Sequence, residues 1–532
     1  MLGLGFASGL PFWLIFDTLS AWLRSVGLSL NVIAFFSLAT LAYAFKFLWA
    51  PIVDRTAIPG LTRWLGHRRS WMLAAQGLIM VGLVMIAITD PVAHLSLTAA
   101  LAVLTGFTGA TQDIVMDAWR IEVAEEREQG VMLASYQWGH RIAYITAGAA
   151  PLFLADAFNW SVSYFTMAAL MVIGALAVIM APRERAHNIR PIPRIAGAAN
   201  PWRERTEWAV RLVILVVGAL VLGSGLSAQV ALIAAMLPHD AAAALTTAWA
   251  ARPLGVFLQL AAVVVGFGFI VACAWPLPGK PTQPGYFLSH VFGEPLGDFF
   301  RRFGRTAGLI LGVICFYRLS EFVLNIMNPF YLDLGFSLTQ IAEVRKIYGV
   351  ALSMIGIFIG GYSIVRWGVM KALLVGAIIA PLSNLMFSWL ATQGPDVSAL
   401  IITLGVNNIC QSFAGTCLLA YMSSLTSAGF TATQYALFSS LYALPDKFIA
   451  TQSGRIVDAA SQSAATGGLI APLQAFFGGL DPGALVAGAS RTGISVEALG
   501  AGYFAFFIYT CVIGFASVPL VLIVTRRQRK AI

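Results

Sequence analysis

The sequence predicts an all-α polytopic membrane protein, with two six-helix bundles and two extra helices between them. Three observations carry that prediction. Apolar residues make up 59% of the 532 residues and charged residues only 11%, a composition foreign to soluble globular chains. Apolar runs of about 20 residues, enough helix to cross a bilayer, recur from end to end. The halves also repeat. Gly27 to Ala34 (GLSLNVIA) matches Gly335 to Ala342 (GFSLTQIA) at an offset of 308, each ahead of a span. A weaker match pairs Gln129 to Tyr136 with Gln434 to Leu441 at an offset of 305.

The spans follow in order. Six fall at 2–23, 31–50, 70–89, 95–118, 131–155 and 160–181 and form a bundle over 1–182. Next comes 183–305, which opens with the Arg- and Pro-rich linker 183–205 and holds two inserted spans, 209–237 and 253–276. The second bundle, 306–532, has spans at 306–332, 341–365, 369–391, 397–425, 433–456 and 501–525, fourteen in all. The stretch 457–500, rich in Gly, Ala and Ser, reads as a long loop on the periplasmic side. Positive residues collect in one set of loops: Arg55 to Arg69, Arg120 and Arg127, the 183–205 linker, Lys280 to Arg305, Arg366 and Lys371, and the tail from Arg526. By the positive-inside rule both termini are cytoplasmic. Strand-like alternation is absent, which excludes an outer-membrane barrel.

The net charge of +9 follows from those loops and is not a nucleic-acid signal. The five cysteines all fall in apolar runs, so no structural disulfide is expected. There is no metal-ligand spacing, no cofactor motif and no catalytic triad, and the expectation is a non-enzymatic protein that needs neither metal nor cofactor. The first span begins without a basic n-region, so no cleaved signal peptide is expected.

Charge inside the spans points to transport. An ionised group in hydrocarbon costs roughly 2.5–3.5 kcal/mol on insertion scales, and such groups mark pathways or gates. Asp113 and Asp117 sit one turn apart in the fourth span. At 1.5 Å per residue, Asp113 lies about 9 Å from the midplane and Asp117 about 15 Å, at the hydrocarbon boundary. Asp117 with Arg120, Asp54, Arg68 and Arg69 therefore reads as a cytoplasmic gate network. Asp113 reads either as a proton site or as a structural hydrogen-bond partner. Asp17 and Glu321 are further proton candidates in the first span of each half. Lys46, near the end of its span, reads as snorkelling. Gly5 and Gly9 read as close-packing positions.

The residues also carry a family resemblance. Asp54-Arg55 followed by Gly66-His67-Arg68-Arg69 resembles the signature loop of major facilitator transporters, whose fold is a parallel repeat of two six-helix bundles. More narrowly, the chain resembles AmpG-type muropeptide permeases. The matching blocks are Gly5 to Pro11, Phe45 to Pro51, Gln112 to Val115 with Asp117-Ala118-Trp119, Glu126-Arg127 and, in the second half, Ala432 to Leu437. The inserted pair between the bundles and the 457–500 stretch depart from the family pattern. The resemblance implies proton-driven import of N-acetylglucosaminyl-anhydro-N-acetylmuramic acid, with or without peptide, across a bacterial inner membrane during peptidoglycan recycling. It implies a glycan or glycopeptide substrate, protons and lipid as partners, no nucleic acid, and a monomer. Another anionic solute, such as acetyl-CoA or a drug, is the alternative cargo.

Muropeptides carry carboxylates, so basic residues near the midplane are candidate ligands. Arg141 is central in the fifth span, Arg318 lies one turn before Glu321, and Lys447 follows Asp446. Arg318 and Lys447 read equally as partners of those neighbouring acids. Arg141 has no acid on its own helix and is expected to meet substrate or Asp113. Tyr136, Trp138 and Tyr144 flank it and could stack on sugar faces. Gln112, Asn408 and Gln411 could hydrogen-bond acetamido and hydroxyl groups.

Overall fold

The computed structural model describes residues 1–27, 41–125, 128–184, 201–227, 229–251, 253–275, 282–450, 452–480 and 483–531. Every regular element among them is a helix. Eleven of these helices are long and apolar enough to cross a membrane. In the first half they are α1 (Leu2–Ser25), α4 (His67–Ile88), α5 (Leu95–Val123) and α7 (Trp160–Met180). Residues 28–40, which hold most of the repeat block and the start of the second span, lie outside the described residues, as do Glu126, Arg127 and 185–200. What is described of the second span is broken into α2 (Leu41–Phe45), a 3₁₀ turn at Lys46–Leu48 and α3 (Ala50–Arg55). The fifth span is α6 (Gln129–Ala157), kept out of the eleven by polar residues such as Gln137, His140 and Arg141.

The first-half helices share one core. Lipid tails are as apolar as leucine, so these helices associate by close packing rather than by hydrophobic exclusion. The approach of α1 to α6 shows how. A methyl group at Gly139 would fall 2.7 Å from the Phe6 backbone nitrogen, and one at Gly5 2.8 Å from the Tyr136 carbonyl carbon. Gly9 packs in the same way: a methyl group there would fall 2.9 Å from Ala143 Cβ, as its sequence position suggests.

Two long helices, α8 (Pro201–Ser227) and α9 (Leu254–Ala274), form the inserted pair. They pack along each other and seat Leu222, Leu226 and Ile270 against Phe45 and Phe47 of the first half and Phe448 of the second. The insertion thus lies along the seam between the halves. A helix absent from the sequence reading follows, α10 (Gln283–Phe303). It buries Pro284, Val291, Pro295 and Phe299, spaced by seven and four residues along one face, while Glu294, Asp298 and Arg302 form the polar bonds described below.

The second half begins with α11 (Ala307–Phe316), breaks into a 3₁₀ stretch over Leu319–Ile326 and resumes as α12 (Met327–Leu334). The first span of the other half is broken at the matching depth by a π turn, Leu14–Thr18. Asp17 and Glu321 sit on these irregular turns, and such turns inside helices recur at functional sites. The remaining long helices are α13 (Val350–Trp367), α14 (Val369–Ala391), α15 (Val397–Leu425), α16 (Thr431–Ala450) and, after α17 (Ser453–Ala465), α18 (Val496–Arg527). The stretch read as a loop at 457–500 holds the end of α17, a 3₁₀ segment at Ala471–Phe477 and a short helix at Val486–Thr492. It packs on α18, with Phe477 buried against Gly500. Small residues that suggested a loop in fact permit this close packing.

Candidate functional site

The loop that carried the transporter signature folds into a buried charge network at the end of the molecule bearing the basic loops. Asp54, at the end of α3, is 2% exposed and stands between two partners. Arg68 Nη2 donates to its Oδ1 at 2.7 Å. Thr433, in the first turn of α16, donates its backbone N–H and its Oγ1 to Oδ2 at 2.8 and 2.6 Å. The first half thereby supplies the anion that satisfies a helix N-terminus of the second, where amides lack intrahelical acceptors. Arg68 also binds Glu122 through Nη2 at 2.7 Å and Nε at 3.1 Å, and its own amide donates to Glu184 at 2.9 Å. Neither glutamate was singled out in the sequence, because each lies at a helix end where a solvated charge is the ordinary reading. Arg69 stands apart from this network. It donates to Leu65 O at 2.8 Å and Ala181 O at 2.7 Å, tying α4 to the end of α7.

Asp117 and Arg120 form a second group one layer deeper. The Arg120 guanidinium is fully buried and reaches Asp117 at 3.5 Å, Ser423 Oγ at 3.2 Å and the Tyr435 hydroxyl at 3.3 Å. Ser423 is on α15 and Tyr435 on α16, so this arginine also bridges the halves. Lys46 does not snorkel. The 3₁₀ turn at Lys46–Leu48 carries it inward, where it is buried with Nζ 3.8 Å from Asp117 Oδ2. Further along α6, Gln137 Nε2 donates to Thr416 Oγ1 at 2.9 Å and Trp138 Nε1 to Met354 O at 3.0 Å. Among the described residues, these bonds between the halves run inward from the basic end and reach no further along α6 than Trp138.

Beyond them lies the central group. Arg318 is paired with Glu321 through Nε at 2.6 Å and through Nη2, and it lies over the Tyr442 ring at 5.2 Å. Arg141, half-buried in the middle of α6, makes no hydrogen bond or ion pair among the described residues. It is within electrostatic reach of Tyr144, Arg318 and Glu321. The expected contact with Asp113 is not made. Asp113 accepts a 2.5 Å bond from Ser8 Oγ, which also meets the Tyr136 hydroxyl at 2.7 Å, and its charged neighbours are Lys46 and Asp117. The reason is rotational: Asp113 looks toward α1 and the gate layer, while Arg141 looks across to the second half. Ser8 falls in the family-like block Gly5 to Pro11 but the sequence assigns it no role, since a serine in an apolar helix is commonplace.

The remaining candidates divide. Gln112 is fully buried and donates to Ala7 O at 2.7 Å, which fastens α1 to α5. Tyr144 packs on Trp13 with ring centroids 4.4 Å apart. Asn408 donates to Leu404 O of its own helix, and Gln411 to Ala380 O at 3.3 Å. Asp17 is exposed on its π turn. The side chains of Lys447 and Asp446 lie outside the described residues.

Residues 1–445 match the family model described as Major Facilitator Superfamily. The chain is 28% identical over 462 residues to the anhydromuropeptide permease of Escherichia coli K12, covering 86% of this chain and 74% of that protein. It is 27% identical over 458 residues to putative transporter AmpG 4 of Rickettsia conorii, covering 86% and 88%. In fold it is similar to the proton:xylose symporter XylE bound to 6-bromo-6-deoxy-D-glucose, with a TM-score of 0.53 at 10% identity, over 97% of this chain and 94% of that one. A polytopic helical protein with charge-linked halves, it belongs to the major facilitator superfamily and is a membrane transporter, not an enzyme.

Proposed function

We propose that the protein imports cell-wall muropeptides, N-acetylglucosaminyl-anhydro-N-acetylmuramic acid with or without peptide, from periplasm to cytoplasm in exchange for the energy of a proton gradient. The observation that carries the reading is Arg141. A half-buried guanidinium in mid-membrane with no hydrogen bond or ion pair among the described residues needs an anion, and a sugar acid supplies a planar carboxylate that matches its fork. Relatives whose names specify an anhydromuropeptide permease support the cargo.

The working parts are two bundles, 1–182 and 306–532, with 183–305 joining them and its helix pair seated on the seam. The protein sits as a monomer in a bacterial inner membrane with both termini in the cytoplasm. The bonds of Asp54, Arg120 and Trp138 then close the cytoplasmic end, and the state described is the one that loads from the periplasm. Substrate enters beside Arg141 and competes for Arg318, whose pairing with Glu321 holds the binding charge in reserve. Protonation of Asp113, linked to α1 through Ser8 and to the gate through Lys46 and Asp117, weakens the cytoplasmic contacts and lets the bundles rock. Glu321 and Asp17 are the other proton candidates.

The test is uptake of radiolabelled anhydro-disaccharide into inside-negative vesicles containing the purified protein. Accumulation that collapses with a protonophore is expected. Absence of uptake overturns the cargo, and uptake indifferent to the protonophore overturns the coupling.

A further inference from the structure

We infer that an aromatic patch on the first half, beside Arg141, is a binding subsite for an N-acetylhexosamine ring. The inference rests on the reading of Arg141 as the holder of the sugar acid. Phe12 and Phe16 stack with ring centroids 5.9 Å apart and planes 15° from parallel. Phe12 presents its ring at right angles to Trp13 on one side and nearly so to Tyr43 on the other, both at 5.0 Å. Trp13 in turn packs on Tyr144, one helical turn from Arg141 on α6. The patch is therefore continuous with the guanidinium.

Two features separate it from ordinary packing. Trp13 Nε1 and the Tyr43 hydroxyl are buried and have no hydrogen-bond partner among the described residues. Phenylalanine at either position would fill nearly the same space without leaving a polar atom unsatisfied, and a buried donor that loses its water and gains no partner is costly. Phe16, which stacks on Phe12 and meets the Trp13 ring edge-on at 6.3 Å, is 49% exposed and stands on the π turn Leu14–Thr18, where the helix is irregular. A shift of Phe16 on that turn opens the way to Trp13 and, past Phe12, to Tyr43, whose hydroxyl rests against Gly109 of α5. An N-acetylhexosamine fits the uncovered chemistry: its flat apolar ring face lies on an aromatic ring, and its acetamido carbonyl and hydroxyls accept from Trp13 and Tyr43. Donors that are unpaired until the correct ligand arrives confer selectivity, since a ligand lacking the acceptors leaves them buried and unsatisfied.

The test is calorimetric titration of the purified full chain with two probes, the anhydro-disaccharide acid and the neutral N,N′-diacetylchitobiose. Wild type is expected to bind both, the acid more tightly. Trp13→Phe and Tyr43→Phe, which keep the rings, should each weaken both sugars by roughly tenfold. Phe16→Ala should weaken both further. Arg141→Ala should weaken the acid and spare the neutral sugar. Unchanged affinity of Trp13→Phe and Tyr43→Phe for both sugars, with Arg141→Ala still selective against the acid, overturns the subsite and leaves the Arg141 reading standing. Failure of wild type to bind either sugar overturns both.

Discussion

Thr433 gives both its backbone amide and its hydroxyl to one oxygen of Asp54, across 379 positions of chain. The other oxygen of that carboxylate holds Arg68. A single side chain thus joins the motif loop of the first half to the first turn of a helix in the second. Breaking it should open the basic end.

Asp54→Asn keeps the shape of the carboxylate but leaves Arg68 with less negative charge in a buried site. Removing one partner of a buried pair costs roughly 3–5 kcal/mol, although Glu122 retains part of the balance here. Uptake is expected to fall at least tenfold. A cysteine placed in the gate layer should react faster with a membrane-impermeant thiol reagent added from the basic side. Thr433→Val, which removes only the hydroxyl, should show the same change in smaller measure, about 1–3 kcal/mol. Unaltered thiol reactivity in both variants would show that this bond does not govern the gate.

Arg141 and Arg318 should separate activity from stability. Arg141 has no partner among the described residues, so Arg141→Ala should leave the melting temperature unchanged or raise it while uptake falls by a hundredfold or more. Arg318→Ala strands Glu321, which is 9% exposed, and should lower the melting temperature in detergent as well as uptake. Equal losses of stability in the two variants would contradict the unpaired state of Arg141.

Asp113→Asn preserves a partner for Ser8 and removes the charge. Exchange of labelled for unlabelled substrate at equal concentration is expected to persist, while uphill accumulation driven by an imposed pH gradient disappears. Retained accumulation would move the proton role to Glu321 or Asp17, and each can be substituted in the same assay.

Helix α10 joins the halves from outside. Arg55 Nη2 donates to Glu294 at 2.8 Å and to His290 O at 3.0 Å, while Asp298 accepts from Ser427 at 2.8 Å and Gln434 at 3.1 Å. The Glu294 side chain is 40% exposed, so that pair contributes about 1 kcal/mol or less, and Glu294→Ala should be nearly silent. Asp298→Ala removes the acceptor for Ser427, Gln434 and Arg302 together and should hasten proteolysis at the 425–431 turn. A double-mutant cycle of Asp298→Ala with Ser427→Ala measures the coupling.

Much of the site was legible in the sequence because its residue types are costly where they stand. Asp54, Arg68, Asp117 and Arg120 announce themselves as charges at the edge of hydrocarbon, and the structure joins them in two linked layers. Arg69, with the same motif position and charge, turns the other way, because successive residues on a helix point about 100° apart and only contact decides which direction is inward. The Asp113–Arg141 contact failed for the same reason. Lys46 was misread because its burial depends on a local 3₁₀ turn. Trp13 and Tyr43 carried no signal, and Ser8 and Thr433 stood in family-like blocks without a role of their own, since each is ordinary for its helix and gains meaning only from the atom it faces or lacks. The amphipathic spacing of α10 was present in 283–303 but was masked by the surrounding basic loop.

Composition and periodicity by themselves determined that this chain is helical, crosses a membrane many times and repeats its own plan, because a bilayer admits few backbone solutions and each leaves a long apolar trace. Tertiary structure alone decided the rest: which charges are paired, that the inserted helices lie on the seam, and that Arg141 makes no hydrogen bond or ion pair among the described residues. Pairing is a matter of a few ångströms between residues hundreds of positions apart, and no local pattern in a sequence encodes that distance.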